Sequence, residues 1–256
     1  WKKRVPLFQI QTALSMNASW GQRAGIRQKG VVRYIGWAVP EAVYIDYDIL
    51  KSAPPHFNWS GIGDILCNHT GVLDWRYATE RGYCEAKWPY DQEMATASLA
   101  KVEAVLKHTR DIHELNRKGL DVLIDGLRWG TSYHGNGWNP RHIEGIDHFF
   151  FYSFEYETGR KFIHGQPVSL GVYLGSLMHN SRAEEMLSAM HEVGLDIRPE
   201  AMKVTWKDVE KALKNLNAFV RENRLWYSIA HDTTFTSDFV ADVKDRIEAR
   251  YGKWKG

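Results

Sequence analysis

The paired prolines Pro54 and Pro55 divide the sequence into two parts with different periodicities. Ahead of them, residues 4–47 read as β. A short apolar run, VPLFQIQT, stops at the small and polar residues ALSMNAS. AGIRQKGVVRYIGWAVP predicts two extended pieces around a turn at Lys29-Gly30, and EAVYIDYDIL predicts a further strand ending in acidic residues. A residue that precedes proline is pushed toward extended backbone, and the prolines punctuate the chain. From about Phe57 onward, apolar residues recur at helical spacing, predicting helices near 59–81, 90–108, 111–133, 143–158, 164–179, 181–193, 206–221 and 235–251. The layout is therefore a short β-rich piece followed by a helical bundle.

Composition narrows the partners. With 44% apolar and 25% charged residues and a net charge of +2, the 256-residue chain has the make-up of a globular protein with a sizeable core. Lys and Arg are scattered, so no nucleic-acid surface is expected, and the 11 Trp and 12 Tyr read as core and pocket walls. Cys67 and Cys84 form neither a disulfide framework nor a CxxC metal knuckle, which makes a reducing cytoplasm the expected compartment. No run of about 18 apolar residues predicts a membrane span. The chain opens on Trp1 and runs at once into a strand-like stretch, RVPLFQIQT, so a preceding N-terminal part is expected.

Several polar residues stand where chemistry is carried. In SGIGDILCNHTGVLDWRYA (residues 60–78), Ile62, Ile65, Leu66, Val72 and Leu73 mark a buried helix, yet Asp64 sits in its first turns just after Gly61 and Gly63. EGIDHFFFYSFE puts Asp147 and His148 at the start of an aromatic helix. KFIHGQPVSLG puts His164 directly before Gly165, and SIAHDTTF holds His231 and Asp232. Any one of these is ordinarily a cap or a satisfied polar residue. One carboxylate and two imidazoles from separate helices would make a site for Zn²⁺ or Fe²⁺ with positions open to water or substrate, and spacing alone leaves their convergence open. In the β-rich part, QTALSMNAS offers the Thr12 and Ser15 hydroxyls to a cofactor, or is an ordinary polar turn. Neither GxGxxG nor GxxxxGK[ST] occurs in the chain.

Together these phrases resemble the superfamily of iron-containing alcohol dehydrogenases, glycerol dehydrogenases and dehydroquinate synthases, and within it the sn-glycerol-1-phosphate dehydrogenase branch. SGIGDILCNHTGVLDWRYA is similar to the motif that opens that branch's helical domain, and GYCE is similar to its continuation. EGIDH stands where the branch carries a Ser-Gly-Ser-Glu-His type phrase, and HGQPVSLG resembles the family's His-Gly-Glu-x-Val-x-x-Gly. PLFQIQTALSMNAS and PEAVYIDYDIL resemble the last strands of its nucleotide-binding domain. The resemblance implies the C-terminal part of a dinucleotide-binding α/β domain over residues 1–57. Residues 58–256 would then form an all-helical, dehydroquinate synthase-like metal-binding domain. It implies that Asp64, His148 and His164 are the protein ligands of one divalent metal (Zn or Fe, with Ni admissible) in a cleft between the domains. It also implies NAD or NADP as cofactor, with the glycine-rich turn for its pyrophosphate upstream of Trp1.

The sequence also departs from that pattern. Tyr152 stands where relatives carry a second His four residues after the first, Asn68 where the branch has Lys, and GNGWNPRH replaces a Ser-Arg-Pro-like phrase. Tyr152 and His231 are candidates for proton traffic or substrate orientation, and Asn68, Arg141 and His142 for contacts with the substrate. The expected function is that of a metal-dependent NAD(P)-linked alcohol or polyol dehydrogenase. It would act on glycerol phosphate or a related small (phospho)polyol or ketone, by hydride transfer from a metal-activated alkoxide. Expected partners are a small alcohol or ketone, with no nucleic acid and no membrane; a homo-oligomer is compatible. One rival is a dehydroquinate synthase-like lyase or cyclase on a sugar phosphate, but that family uses Glu in place of Asp64 and keeps the second His. The other is a helical His-Asp metal phosphohydrolase, suggested by His231-Asp232, which explains neither the β-rich start nor the Asp64 phrase.

Overall fold

The computed structural model describes residues 5–28, 31–37, 39–131 and 139–255. Four short strands come first: β1 (Phe8–Gln11), β2 (Ala24–Gln28), β3 (Val31–Ile35) and β4 (Ala42–Ile45). β1 and β4 pair in parallel, Phe8 opposite Ala42 and Gln11 opposite Ile45. β2 and β3 pair antiparallel, with Gly25 opposite Tyr34 and Arg27 opposite Val32. The turn expected at Lys29-Gly30 lies outside the described residues.

Only the first half of EAVYIDYDIL is strand. The Asp46 carboxylate accepts the backbone N–H groups of Asp48 and Ile49, capping a helix α1 over Tyr47–Ser52 where a continuing strand was expected. Helix α2 (Pro55–Ser60) follows with proline in its first turn, where the missing N–H is no loss. The boundary expected at residue 57 thus falls inside α2. The helix expected over 59–81 is two pieces, since α2 ends and α3 (Gly63–Glu80) begins across Gly61-Ile62. The helix expected over 111–133 is also divided, into α5 (Thr109–His113) and α6 (Arg117–Thr131), with Leu115 between them at φ +49°. The other helices start and end within a few residues of expectation: α4 (Gln92–Lys107), α7 (Ile146–Thr158), α8 (Gly165–Met178), α9 (Ala183–Val193), α10 (Trp206–Glu222) and α11 (Ser237–Tyr251). Side chains of Asp91, Thr205 and Thr236 cap α4, α10 and α11.

Helices α3, α7 and α8 pack on one another at the centre. Each is buried nearly all round, which is the burial of a central helix rather than an amphipathic surface one. Leu66, Phe150, Val172, Leu187 and Leu213 join one core with no exposed surface, each worth about 1.5–3 kcal/mol of burial. The polar residues in these central helices therefore sit where water is scarce, and each needs a partner or a function. Among the described residues no helix is long and apolar enough to cross a membrane.

Candidate metal centre

The starts of α3 and α8 touch backbone to backbone. A Cβ on Gly165 would lie 1.7 Å from the Ser60 carbonyl oxygen, and one on Gly63 would lie 2.5 Å from that of Gly165. Only glycine permits this approach. It brings Asp64, second residue of α3, to His164, the residue before α8: Asp64 Oδ1 and His164 Nε2 are 2.9 Å apart. The third group comes from α7. That helix has no side-chain cap of its own; instead Asp74 of α3 accepts the Ile146 N–H through Oδ2 at 2.7 Å, and its Oδ1 accepts the Ile229 N–H at 2.8 Å. Asp74 thereby fixes where α7 begins, and His148 in its first turn carries Nε2 to 3.7 Å from Asp64 Oδ1.

Asp64 is buried, and its two oxygens differ. Oδ2 accepts the backbone N–H of Asn17 at 2.9 Å, from the segment between β1 and β2. Oδ1 has no aligned hydrogen-bond donor, although His164 Nε2 is close. A buried carboxylate oxygen without a donor, facing two imidazole nitrogens, is what a cation would satisfy. One ligand atom from each of Asp64, His148 and His164 lies within 4.8 Å of the others, a spread compatible with contraction around one ion. The residues fit a divalent metal. Burial works to raise the Asp64 pKa, but the charges of His164 and His148 outweigh it and hold the carboxyl well below the usual carboxylate range. Burial pushes His148 down, and Asp147 and Asp64 more than reverse this, raising its pKa to about 10. Without a metal, a proton is thus the charge that balances Asp64.

Asp147 orients that imidazole. Its Oδ1 accepts both the backbone N–H of His148 at 2.8 Å and the Nδ1–H at 2.5 Å, and its Oδ2 accepts the Thr70 hydroxyl at 2.6 Å. Since a carboxylate only accepts, Nδ1 carries a proton, and Nε2, which faces Asp64, is the ring nitrogen that would give up its own proton to ligate a metal. Cys67, Asp147 and His148 also lie close enough to share an ion. There, however, Asp147 is occupied by hydrogen bonds, and burial raises the Cys67 thiol well above its ordinary pKa.

The three groups open on a cavity of about 220 Å³. That is smaller than the ~300–1,000 Å³ of drug-sized pockets and suits a small molecule. Asn17, Arg27, Tyr34, Glu144 and Tyr152 line it too. Tyr152 donates to Glu144 Oε1 at 2.6 Å. Burial raises the Glu144 carboxyl, and burial with the neighbouring Glu144 and Tyr34 raises the Tyr152 phenol well above 10.

The other residues singled out in the sequence lie elsewhere. Thr12 is exposed and Ser15 half-buried, just ahead of Met16–Ala18 of the cavity wall. Asn68 and His142 are buried behind the cavity: His142 Nδ1 pairs with Ser98 Oγ at 2.9 Å and Asn68 Oδ1 at 3.2 Å. Arg141 is buried against the carbonyls of Tyr227 and Asp74. His231 accepts the Ser228 N–H at 3.2 Å through Nδ1 and stacks on Tyr227. None of the four lines the cavity. Sequence reasoning missed Asn17, Asp74, Asp147 as an orienting group, and Glu144. Asp147 was signalled by adjacency to His148; Asn17 acts through its backbone, which leaves no side-chain signature.

A carboxylate and two imidazoles held by three helix starts, beneath a strand-bearing segment, define a polar centre of the metal-dependent type. Comparison with known proteins bears out the family resemblance. No family model matches the sequence. The chain is 28% identical to a glycerol-1-phosphate dehydrogenase, named as NAD(P)⁺-linked, from Geobacillus thermodenitrificans, over 66% of this chain and 42% of the relative. It is 29% identical to the same-named protein of Sulfolobus acidocaldarius, over 90% of this chain and 63% of the relative. The chain thus spans about half the length of the curated relatives it matches. Its fold is that of glycerol dehydrogenase from Schizosaccharomyces pombe (TM-score 0.68, 18% identity, 99% of this chain and 66% of that one). It is shared by the 2-epi-5-epi-valiolone synthase ValA of Streptomyces hygroscopicus, solved with NAD⁺ and Zn²⁺ bound (TM-score 0.61, 14% identity, 97% and 68%).

Proposed function

We propose that this chain is the metal-binding catalytic part of an NAD(P)-linked dehydrogenase acting on a small polyol, a phosphopolyol or the corresponding ketone. The observation that carries the reading is Asp64 Oδ1, buried, without an aligned hydrogen-bond donor and turned toward two imidazole nitrogens in a small cavity. The names of the sequence relatives support the same chemistry. Asp64, His148 and His164 hold one divalent ion, which when bound supplies Lewis acidity to an alcohol or carbonyl oxygen. NAD(P) supplies the hydride acceptor, and the segment from Thr12 and Ser15 through Ala18 is the part we assign to its side of the cavity. The chain carries no complete phosphate-binding loop, so we assign no residue to the pyrophosphate.

The chain's own residues do the rest. Asp147 keeps the His148 proton on Nδ1, the Asn17 N–H holds Asp64 Oδ2, and Glu144 and Tyr152 present polar groups to the substrate. A dehydroquinate synthase-like reaction is the second reading, favoured by the likeness in fold to ValA. The test is nicotinamide absorbance on incubating the metal-loaded protein with NAD⁺ or NADP⁺ and a panel of polyols and their phosphates. The reading expects reduction of the nicotinamide by at least one of them. Consumption of a sugar phosphate with no net change in nicotinamide would overturn it in favour of the second.

A further inference from the structure

The segment between β1 and β2 lies along the junction of α2 and α3 and is held there at three points. Asn58 Oδ1 accepts the Leu14 N–H at 2.8 Å, while Asn58 Nδ2 donates to the Leu50 carbonyl at 2.7 Å. At Gly61 the Leu14 carbonyl comes so close that a Cβ has no room. Asp64 Oδ2 accepts the Asn17 N–H at 2.9 Å. Asn58 and Leu14 have no exposed surface, so water does not replace these partners when the segment lifts locally. The first two holds need no ion. The third belongs to the carboxylate whose other oxygen faces His148 and His164. Met16, Asn17 and Ala18, at and beside that third hold, form part of the cavity wall.

We propose that Asp64 couples the metal ion to this wall. The Asn17 N–H, by holding Oδ2, turns Oδ1 toward the two imidazoles, and an ion on Oδ1 in return seats residues 14–18 against the α2–α3 junction. This deepens the proposed function and rests on its metal site. Asn17 is a positioning residue that acts through Asp64, and it does so by its backbone, so the side chain at this position is free to vary. Coupling is reciprocal: the factor by which the seated wall tightens the ion is the factor by which the ion favours the seated wall. Hydrogen-bond partners of metal-binding groups are worth roughly 10–100-fold in affinity, which sets the size expected here. The ion thereby firms the side of the cavity assigned above to the nicotinamide.

The test combines Zn²⁺ affinity, by chelator competition, with amide hydrogen exchange read residue by residue by NMR. In the wild-type protein saturating Zn²⁺ should slow exchange at Leu14 and Asn17 roughly 10–100-fold. Asn17→Pro deletes the N–H that Asp64 accepts. Residue 17 opens a 3₁₀ turn, Asn17–Trp20, after Met16 in extended backbone (φ −167°, ψ 167°), and proline accepts both conditions. This variant should bind Zn²⁺ more weakly by about the same factor and lose the Zn²⁺-dependent slowing at Leu14. Asn17→Ala keeps the N–H and should match the wild type in both measurements, which a role for the Asn17 side chain would not allow. If Asn17→Pro does not fold, wild-type exchange with and without Zn²⁺ decides alone. Zn²⁺ binding that leaves exchange at Leu14 and Asn17 unchanged, or equal affinity in the Pro and Ala variants, overturns the inference while leaving the metal centre in place. No Zn²⁺ binding by the wild type overturns both.

Discussion

Asp147 does not line the cavity, yet it decides what His148 can do there. By accepting from Nδ1–H it leaves Nε2 as the ring nitrogen that could turn a lone pair to a metal, and Thr70 holds the carboxylate in turn. Such outer partners of metal-binding histidines are typically worth 10–100-fold in metal affinity. Asp147→Asn, which can present an N–H where an acceptor is needed, should therefore weaken metal binding by about that factor while the fold persists. Chelator competition against the wild type measures this directly. An unchanged affinity would mean that His148 holds its orientation through α7 packing alone.

Between elements, the site depends on contacts that no single helix encodes. Gly63 and Gly165 let α3 and α8 meet, and Asp74 of α3 caps α7 from a distance. His142 is the clearest titrating link of this kind, tied to Ser98 on α4 and Asn68 on α3. Burial drives its pKa down to about 3. The folded state thus keeps it neutral, whereas the unfolded chain protonates it near 6.5. Its contribution is intact above about pH 6.5 and is lost by about 1.4 kcal/mol per pH unit as pH falls toward 3. Between pH 7 and pH 5 the wild type should therefore lose about 2 kcal/mol more stability than His142→Gln, read from urea unfolding. Parallel losses in the two proteins would show that His142 is not the group responsible. These links mark where the sequence was legible. Apolar periodicity disclosed the helices, and a carboxylate flanked by glycines in an apolar helix disclosed Asp64. The α1 cap was hidden because Asp46 reads equally well as a strand's end. Asn68, Arg141 and His142 read as substrate contacts because they stand where the sequence departs from the pattern it resembles, and a sequence does not show which neighbours cover a polar residue.

At the scale of the whole molecule, the site joins the two parts that Pro54 and Pro55 divide. The β-rich part supplies the Asn17 N–H to Asp64 and Tyr34 to the cavity wall, and the helical part supplies Asp64, His148 and His164. Arg27 on β2 locks the parts together through a two-pronged ion pair with the buried Glu155 of α7, at 2.7 and 3.0 Å. Arg33 on β3 adds a bond to the Asn223 carbonyl at 2.7 Å. The same arrangement explains why the family resemblance was readable before any geometry: Asp64, His148 and His164 each sit in a phrase whose glycines and apolar residues are needed to bring it to the others. The central claim is that these three residues hold one divalent ion, and metal content by elemental analysis after gel filtration tests it most directly. The wild type should carry about one divalent ion per chain, and Asp64→Asn and His164→Ala should each lose most of it while helical circular dichroism is unchanged, because a three-ligand site tolerates neither loss. Full metal occupancy in either folded variant would contradict the account.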